Sequence, residues 1–255
     1  MAEVIAVTGK GGVGKTTVAA LVVRALVEAG KGAVLAVDAD PNLNLDTALG
    51  LKATDTVGDV REEGLDRAAT LPGGMAKAQF LELRIQEALV ESKGFDLLAM
   101  GRPEGPGCYC FANSILRACV DQLGKQYRYV VVDCEAGLEH LSRRTAGDVD
   151  VLILLSDPSV RSLDTVKRVL DLVENLGTKV GKTAFAFTRV ADGIPPELQA
   201  AAEQRGLPEA AAIPEDAGLR ELDVRGEALV GVSDDSPAYQ AVKELLREAG
   251  VLEGE

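Results

Sequence analysis

Short runs that are apolar almost throughout alternate with longer stretches in which apolar residues recur every three to four positions. The runs fall at residues 4–8, 33–38, 97–100, 129–133, 151–156, 183–188 and 211–213. Their composition is that of strands covered on both faces rather than on one. Helical spacing marks residues 16–29, 80–90 and 162–176. In the last of these Leu163, Val166, Leu170, Val173 and Leu176 share a face, and Gly177 closes the stretch. Residues 236–250 predict a further helix, with Ser236 at the N-cap, Pro237 in the first turn and Gly250 at the end. Strand and helix in alternation specify parallel strands joined by crossover helices. The expectation is one α/β domain over residues 1–255, with a mostly parallel central sheet of about seven strands and helices on both faces. Residues 54–75, charged and glycine-containing, are read as a surface excursion. In sheets of this kind ligands bind beyond the carboxyl ends of the strands.

The chemistry concentrates there. The first strand runs into Gly9-Lys10-Gly11-Gly12-Val13-Gly14-Lys15-Thr16-Thr17, and a helix follows at once. Gly9, Gly14, Lys15 and Thr16 satisfy G-x-x-x-x-G-K-[ST], the phosphate-binding loop of nucleoside triphosphatases. Glycines let the backbone curl with its N–H groups inward, and the helix directs its positive end to the same point. Lys15 is expected to reach the β- and γ-phosphates, and Thr16 to place its hydroxyl on Mg²⁺. The second lysine, Lys10, is not required by the plain motif. The whole string GKGGVGKTT resembles the deviant Walker A loop of the MinD, ParA, nitrogenase iron protein and arsenite-pump ATPase group. That resemblance implies a homodimer in which Lys10 crosses the interface to the partner's nucleotide.

Two further strand ends carry carboxylates. The second ends in Val37-Asp38-Ala39-Asp40-Pro41-Asn42. Carboxylates beside a phosphate loop orient the attacking water or hold Mg²⁺ through its waters. The resemblance assigns water positioning and a place around Mg²⁺ to Asp40 and leaves Asp38 in support. The strand 129–133 is apolar and ends in Asp133, the Walker B form, whose carboxylate binds the hydration shell of Mg²⁺. The Gly137 turn beyond it resembles a switch that rearranges when the γ-phosphate leaves. Cys134 reads as a small buried thiol. Relatives often contact adenine through an Asn after the sixth strand, where this chain has Thr188-Arg189. The late segment Ile213-Pro214-Glu215-Asp216 does match, and it assigns Pro214 to the nucleotide. No N-K-x-D guanine signature occurs, and the resemblance implies ATP and ADP.

Between the third and fourth long strands lies Gly101-Arg102-Pro103-Glu104-Gly105-Pro106-Gly107-Cys108-Tyr109-Cys110. One C-x-C supplies two thiolates, short of a tetrahedral set. A twofold dimer presents the same loop twice about one axis, so Cys108 and Cys110 of both subunits supply four. Four thiolates suit Zn²⁺ or an Fe–S cluster and also take Ni²⁺. This loop, together with VVVDCEAGLEHLSRRT, resembles the nickel-insertion ATPases of carbon monoxide dehydrogenase maturation (CooC-type) and the related acetyl-CoA synthase loaders. It implies one Ni²⁺ or Zn²⁺ per dimer, slow ATP hydrolysis coupled to closure, and carbon monoxide dehydrogenase or acetyl-CoA synthase as client. The alternatives are a MinD/ParA-type positioning switch and an Fe–S carrier ATPase. His140, the single histidine, reads as a residue adjacent to the switch, and Cys119 as helix packing.

Charge and composition narrow the partners. With 27 basic and 40 acidic residues the net charge is −13, a field that repels DNA and anionic lipid. Neither nucleic acid nor membrane is expected as a partner. The final Leu-Glu-Gly-Glu is not a basic amphipathic tail, and tryptophan is absent as a stacking platform for bases. No apolar run reaches membrane-spanning length, and the first strand starts too early to leave room for a signal peptide. The expected location is the cytoplasm, where four cysteines favour burial, metal binding or reactivity over disulfides.

Overall fold

In the computed structural model, which describes residues 2–66, 76–102, 123, 126–135 and 149–253, the first unit is strand, loop, helix: β1 (Glu3–Gly9) and α1 (Lys15–Ala29). Next come β2 (Val34–Asp38), α2 (Leu45–Ala48), α3 (Val57–Asp66), α4 (Lys77–Ala88), β3 (Val90–Glu91), β4 (Phe95–Ala99) and β5 (Tyr129–Asp133). β6 (Val149–Ser156), α5 (Val160–Leu176), β7 (Val180–Val190), α6 (Pro196–Glu203), β8 (Ala210–Pro214), α7 (Ala217–Arg225) and α8 (Pro237–Glu248) complete the described elements, with a 3₁₀ turn at Leu229–Gly231. The strands form one sheet in the order β3-β4-β2-β5-β1-β6-β7-β8. Every pairing is parallel except that of β3 with β4. The mostly parallel α/β sheet expected from the sequence is therefore present.

Alternation along each strand divides the core into two layers. Ile5, Val7, Val131, Ile153 and Leu155 pack with α1 and α8 on one face. Ala6, Val130, Val132, Leu152 and Leu154 pack with α5 and α6 on the other. Because both faces are covered, neither set could be polar, which explains the continuous apolar runs. Burying one such Leu or Ile stabilises the fold by about 1.5–3 kcal/mol. Local signals end the helices as expected. Ser159 caps α5 by accepting from the Ser162 N–H at 3.3 Å, and Gly177 closes it in the left-handed region at φ 60°. Ser236 caps α8 by accepting from the Tyr239 N–H at 3.1 Å, with Pro237 in the first turn.

The sheet has eight strands among the described residues, in keeping with the expected count of about seven, the added one being the two-residue β3, antiparallel to β4. Residues this few carry no periodicity, and the helix expected over residues 80–90 ends at Ala88, which leaves Val90 to the strand. Residues 57–66, read as part of a surface excursion, form α3. The overlooked signal is a capping pair. Asp59 Oδ2 accepts from the Thr56 N–H at 2.9 Å and its hydroxyl at 2.7 Å, while the Asp59 N–H donates to Thr56 Oγ1 at 3.2 Å. Gly58 and Gly64 lie on the buried side with Val57 and Val60. A Cβ at Gly64 would stand 2.9 Å from Leu81 Cδ2, so glycine here permits close packing of α3 on α4.

Candidate nucleotide-binding site

The carboxyl ends of β2, β5, β1 and β6 meet at one edge of the sheet. Val7 pairs with Asp133, Asp133 with Asp38, and Gly9 with Leu155. The loop leaving β1 therefore passes between two carboxylates on one side and the end of β6 on the other. At Gly9 a Cβ would stand 2.3 Å from the Leu155 carbonyl oxygen, so only glycine lets the chain turn away from β6 here. Gly14, at φ 88°, is the N-cap of α1, and no side chain caps this end and no acidic residue occupies its first turn. The first N–H groups of α1 and its positive end face whatever enters the loop. A Cβ at Gly11, Gly12 or Gly14 would meet nothing within 4 Å, so their Cα hydrogens border open space.

Lys15 is only 9% exposed, and its ammonium donates to the Lys10 carbonyl at 3.4 Å. The Val13 carbonyl accepts from the Thr188 hydroxyl at 2.7 Å, which ties the loop to β7, and the same hydroxyl lies 3.3 Å from the Ser156 carbonyl. Thr188 thus braces the phosphate loop at the end of β7. Next to it, Arg189 adopts φ 56° at an irregularity between Thr188 and Val190. A non-glycine residue in that region is strained, and such irregularities re-aim side chains. Arg189 lines a cleft of about 330 Å³ with Val13, Thr17, Thr188, Pro214 and Arg220. Asp216 fixes the far wall by accepting from the Leu219 N–H at 3.0 Å and the Ser236 hydroxyl at 2.6 Å.

The two strand-end carboxylates behave differently. Asp38 is fully buried but well supplied. Its Oδ1 accepts from the Asp40 N–H at 3.0 Å, and its Oδ2 from the N–H groups of Asn44 and Leu45, each at 3.0 Å. Burial raises its pKa, and those donors oppose the rise. Asp38 is therefore the brace of the 40–45 loop. Asp40, on that loop, accepts from the Asn42 N–H at 2.8 Å and the Asn42 amide at 3.2 Å. Asp133 is 1% exposed, and among the described residues neither of its oxygens has a hydrogen-bond partner of normal geometry. Burial pushes its pKa up to about 7, and the Asp38 charge adds to the rise; the nearby Thr16 hydroxyl and the Lys15 ammonium offset part of it. A buried carboxylate with no hydrogen bond of normal geometry among the described residues, beside the Thr16 hydroxyl and the open loop, fits a divalent cation held with a phosphate.

Gly9 to Thr17, Asp38, Asp40, Asp133 and Pro214 thus border one edge of the sheet. Cys108, Cys110, Cys119, Gly137 and His140 lie outside the described residues. Cys134 is buried, with its thiol pushed up by burial, in keeping with an inert packing role. Among the described residues no group of three or more His, Cys, Asp or Glu is placed to hold a metal, and no helix is long and apolar enough to cross a membrane. The sequence placed Asp38 in a supporting role, and its brace of the loop agrees with that. Sequence reasoning missed the Thr188 tie and Asp157, which pairs with Lys10, and neither had a local signal.

Phosphate is what this loop is shaped to hold, which places the chain among the P-loop nucleotide-binding proteins. Residues 4–230 match the CobQ/CobB/MinD/ParA nucleotide binding domain, and the chain belongs to that family. It is 43% identical over 244 residues to an uncharacterised ATP-binding protein of Methanocaldococcus jannaschii, covering 95% of this chain and 96% of the relative. It is 37% identical over 186 residues to the carbon monoxide dehydrogenase accessory protein CooC of Rhodospirillum rubrum, covering 69% of this chain and 70% of that one. The septum site-determining protein MinD of Pyrococcus horikoshii, solved with Mg-ADP, superposes with a TM-score of 0.72 at 28% identity, covering 100% of this chain and 98% of that one. The chain is a MinD/ParA-family ATPase.

Proposed function

We propose that this chain is a metal-loading ATPase that closes as a homodimer on ATP and delivers nickel to carbon monoxide dehydrogenase or acetyl-CoA synthase. The observation that carries it is the pairing, in one chain, of Lys10 within the phosphate loop and the Cys108/Cys110 pair. The kinship with CooC supports the same reading. The loop N–H groups and Lys15 hold the phosphates. Thr16 and Asp133 hold Mg²⁺, which when bound neutralises charge on the β- and γ-oxygens. Asp40 orients the attacking water, and Asp38 holds its loop in place. Val13, Thr17 and Pro214 border the base and sugar. Nickel is cargo: two chains supply Cys108 and Cys110 twice over, and the set becomes complete only in the dimer.

Replacing Cys108 and Cys110 together with alanine tests the cargo. The expected result is loss of Ni²⁺ and Zn²⁺ binding from one ion per dimer to none, with nucleotide affinity retained. Undiminished metal content would remove the cysteines from the site. Asp40→Ala is expected to keep ATP binding, slow turnover at least tenfold, and prolong the dimer. Normal single-turnover hydrolysis would take water positioning away from Asp40.

The full-length likeness to MinD favours a second reading, a positioning switch on membranes. Cosedimentation with anionic liposomes separates the two. ATP-dependent pelleting would support the switch; the net charge of −13 argues against it.

A further inference from the structure

Lys10 does not project freely into solvent. Its ammonium lies 3.3 Å from Asp157 Oδ2 of the same chain, a contact between residues 147 apart. The sheet order creates it by setting β6 beside β1. Asp157 is itself firmly oriented. Its other carboxylate oxygen accepts from the Ser159 hydroxyl, and its N–H donates to Ser162 Oγ at 3.2 Å. Its carbonyl accepts from the Ser156 hydroxyl at 2.8 Å and the Ser159 N–H at 2.7 Å. Three serines therefore hold Asp157 in place, Ser159 through the carboxylate and Ser156, Ser159 and Ser162 through the backbone, and the Lys10 carbonyl in turn receives the Lys15 ammonium. The pair is still reachable from outside, with side-chain exposures of 43% for Lys10 and 36% for Asp157.

We propose that Asp157 is a positioning residue that parks Lys10 within its own chain, so that dimer closure must exchange this carboxylate for a phosphate of the partner's nucleotide. The proposal rests on the reading that Lys10 acts across the interface. A part-exposed pair of this kind shifts an equilibrium only a few-fold, so it does not lock the lysine. It disfavours any closed state in which Lys10 finds no phosphate to receive. The γ-phosphate, carrying more charge than a carboxylate, competes successfully for the lysine; a nucleotide lacking it competes less well. Asp157 in this way adds discrimination between ATP and ADP by opposing the wrong complex.

Sedimentation velocity with Mg²⁺ and a non-hydrolysable ATP analogue, or with ADP, tests this. Closing one dimer breaks two such pairs. Asp157→Asn is expected to lower the protein concentration at half-dimerisation about tenfold, and to permit dimers with ADP at concentrations where the parent chain is monomeric. Asp157→Glu, which keeps the charge, is expected to return the midpoint toward that of the parent. In a Lys10→Ala background, Asp157→Asn is expected to change nothing. An unchanged midpoint, or a shift that persists without Lys10, would overturn the parking role. If Lys10→Ala itself dimerises like the parent, the interface reading fails and the parking role falls with it. If Lys10→Ala fails to dimerise while Asp157→Asn is silent, only the parking role is lost.

Discussion

Lys15→Ala is expected to weaken ADP and ATP binding at least 100-fold, the largest single effect in this chain. The phosphates of a nucleotide would enter a molecule of net charge −13 and approach the Asp38 and Asp133 carboxylates. Against that repulsion stand the N–H groups at the start of α1 and two ammonium groups. Of these, Lys10 is engaged with Asp157, which leaves Lys15 as the buried cation at the loop. Among the described residues its one hydrogen-bond acceptor is a carbonyl at 3.4 Å, a weak contact that phosphate oxygens readily replace. Charge-assisted hydrogen bonds are worth about 1.5–3 kcal/mol each, and two of them exceed the 100-fold loss. Titration calorimetry with ADP checks the result, and nucleotide-free melting curves confirm the fold. Affinity within threefold of the parent would contradict the role of the lysine. Asp133 should respond too: with the Lys15 charge gone, its pKa is expected to rise further.

Asp133→Asn is expected to impair turnover and stabilise the empty protein together. Burial is the main reason that its pKa stands at about 7. The unfolded chain would titrate this carboxyl near pH 4. Because the folded value is raised, the folded state binds the proton more tightly. The resulting stability is fully present below about pH 4 and is lost as the pH rises through about 7. Above that, the empty protein holds a buried ionised carboxylate that the Thr16 hydroxyl and the Lys15 ammonium compensate only in part. Asparagine removes the ionisation at the cost of a poorly paired amide, for a net gain of about 2 kcal/mol at pH 8 and little at pH 4. In a chain of 255 residues this is about 5 °C in melting temperature. Single-turnover hydrolysis with Mg²⁺ is expected to fall at least 100-fold in the same variant. A variant that melts lower at pH 8, or hydrolyses normally, would contradict the assignment.

What could be read from the sequence was local. The glycine and lysine spacing of residues 9–17, and the apolar runs ending in Asp38 and Asp133, each fit within one strand–loop unit and were found where the chain placed them. Strand existence was equally legible, because burial on both faces leaves no polar alternative in β1, β5 or β6. The failures have distinct causes. α3 was hidden because Arg61, Glu62 and Glu63 dominate its composition, while the face that packs uses Gly58 and Gly64 in place of large apolar residues. β3 is too short to carry any period. The Lys10–Asp157 and Thr188–Val13 contacts join residues 147 and 175 apart, and they exist only because β6 and β7 follow β1 in the sheet order. No window along the chain contains that information.

Under the proposed function ATP closes a dimer, and closure completes a site for one metal ion. Native mass spectrometry of the full chain with Ni²⁺, Mg²⁺ and a non-hydrolysable ATP analogue reads mass, nucleotide count and metal count together. The account predicts a dimer with two nucleotides and one nickel, and no nickel once Cys108 and Cys110 are replaced. A nucleotide-bound monomer, or a dimer whose nickel survives loss of both cysteines, would contradict it.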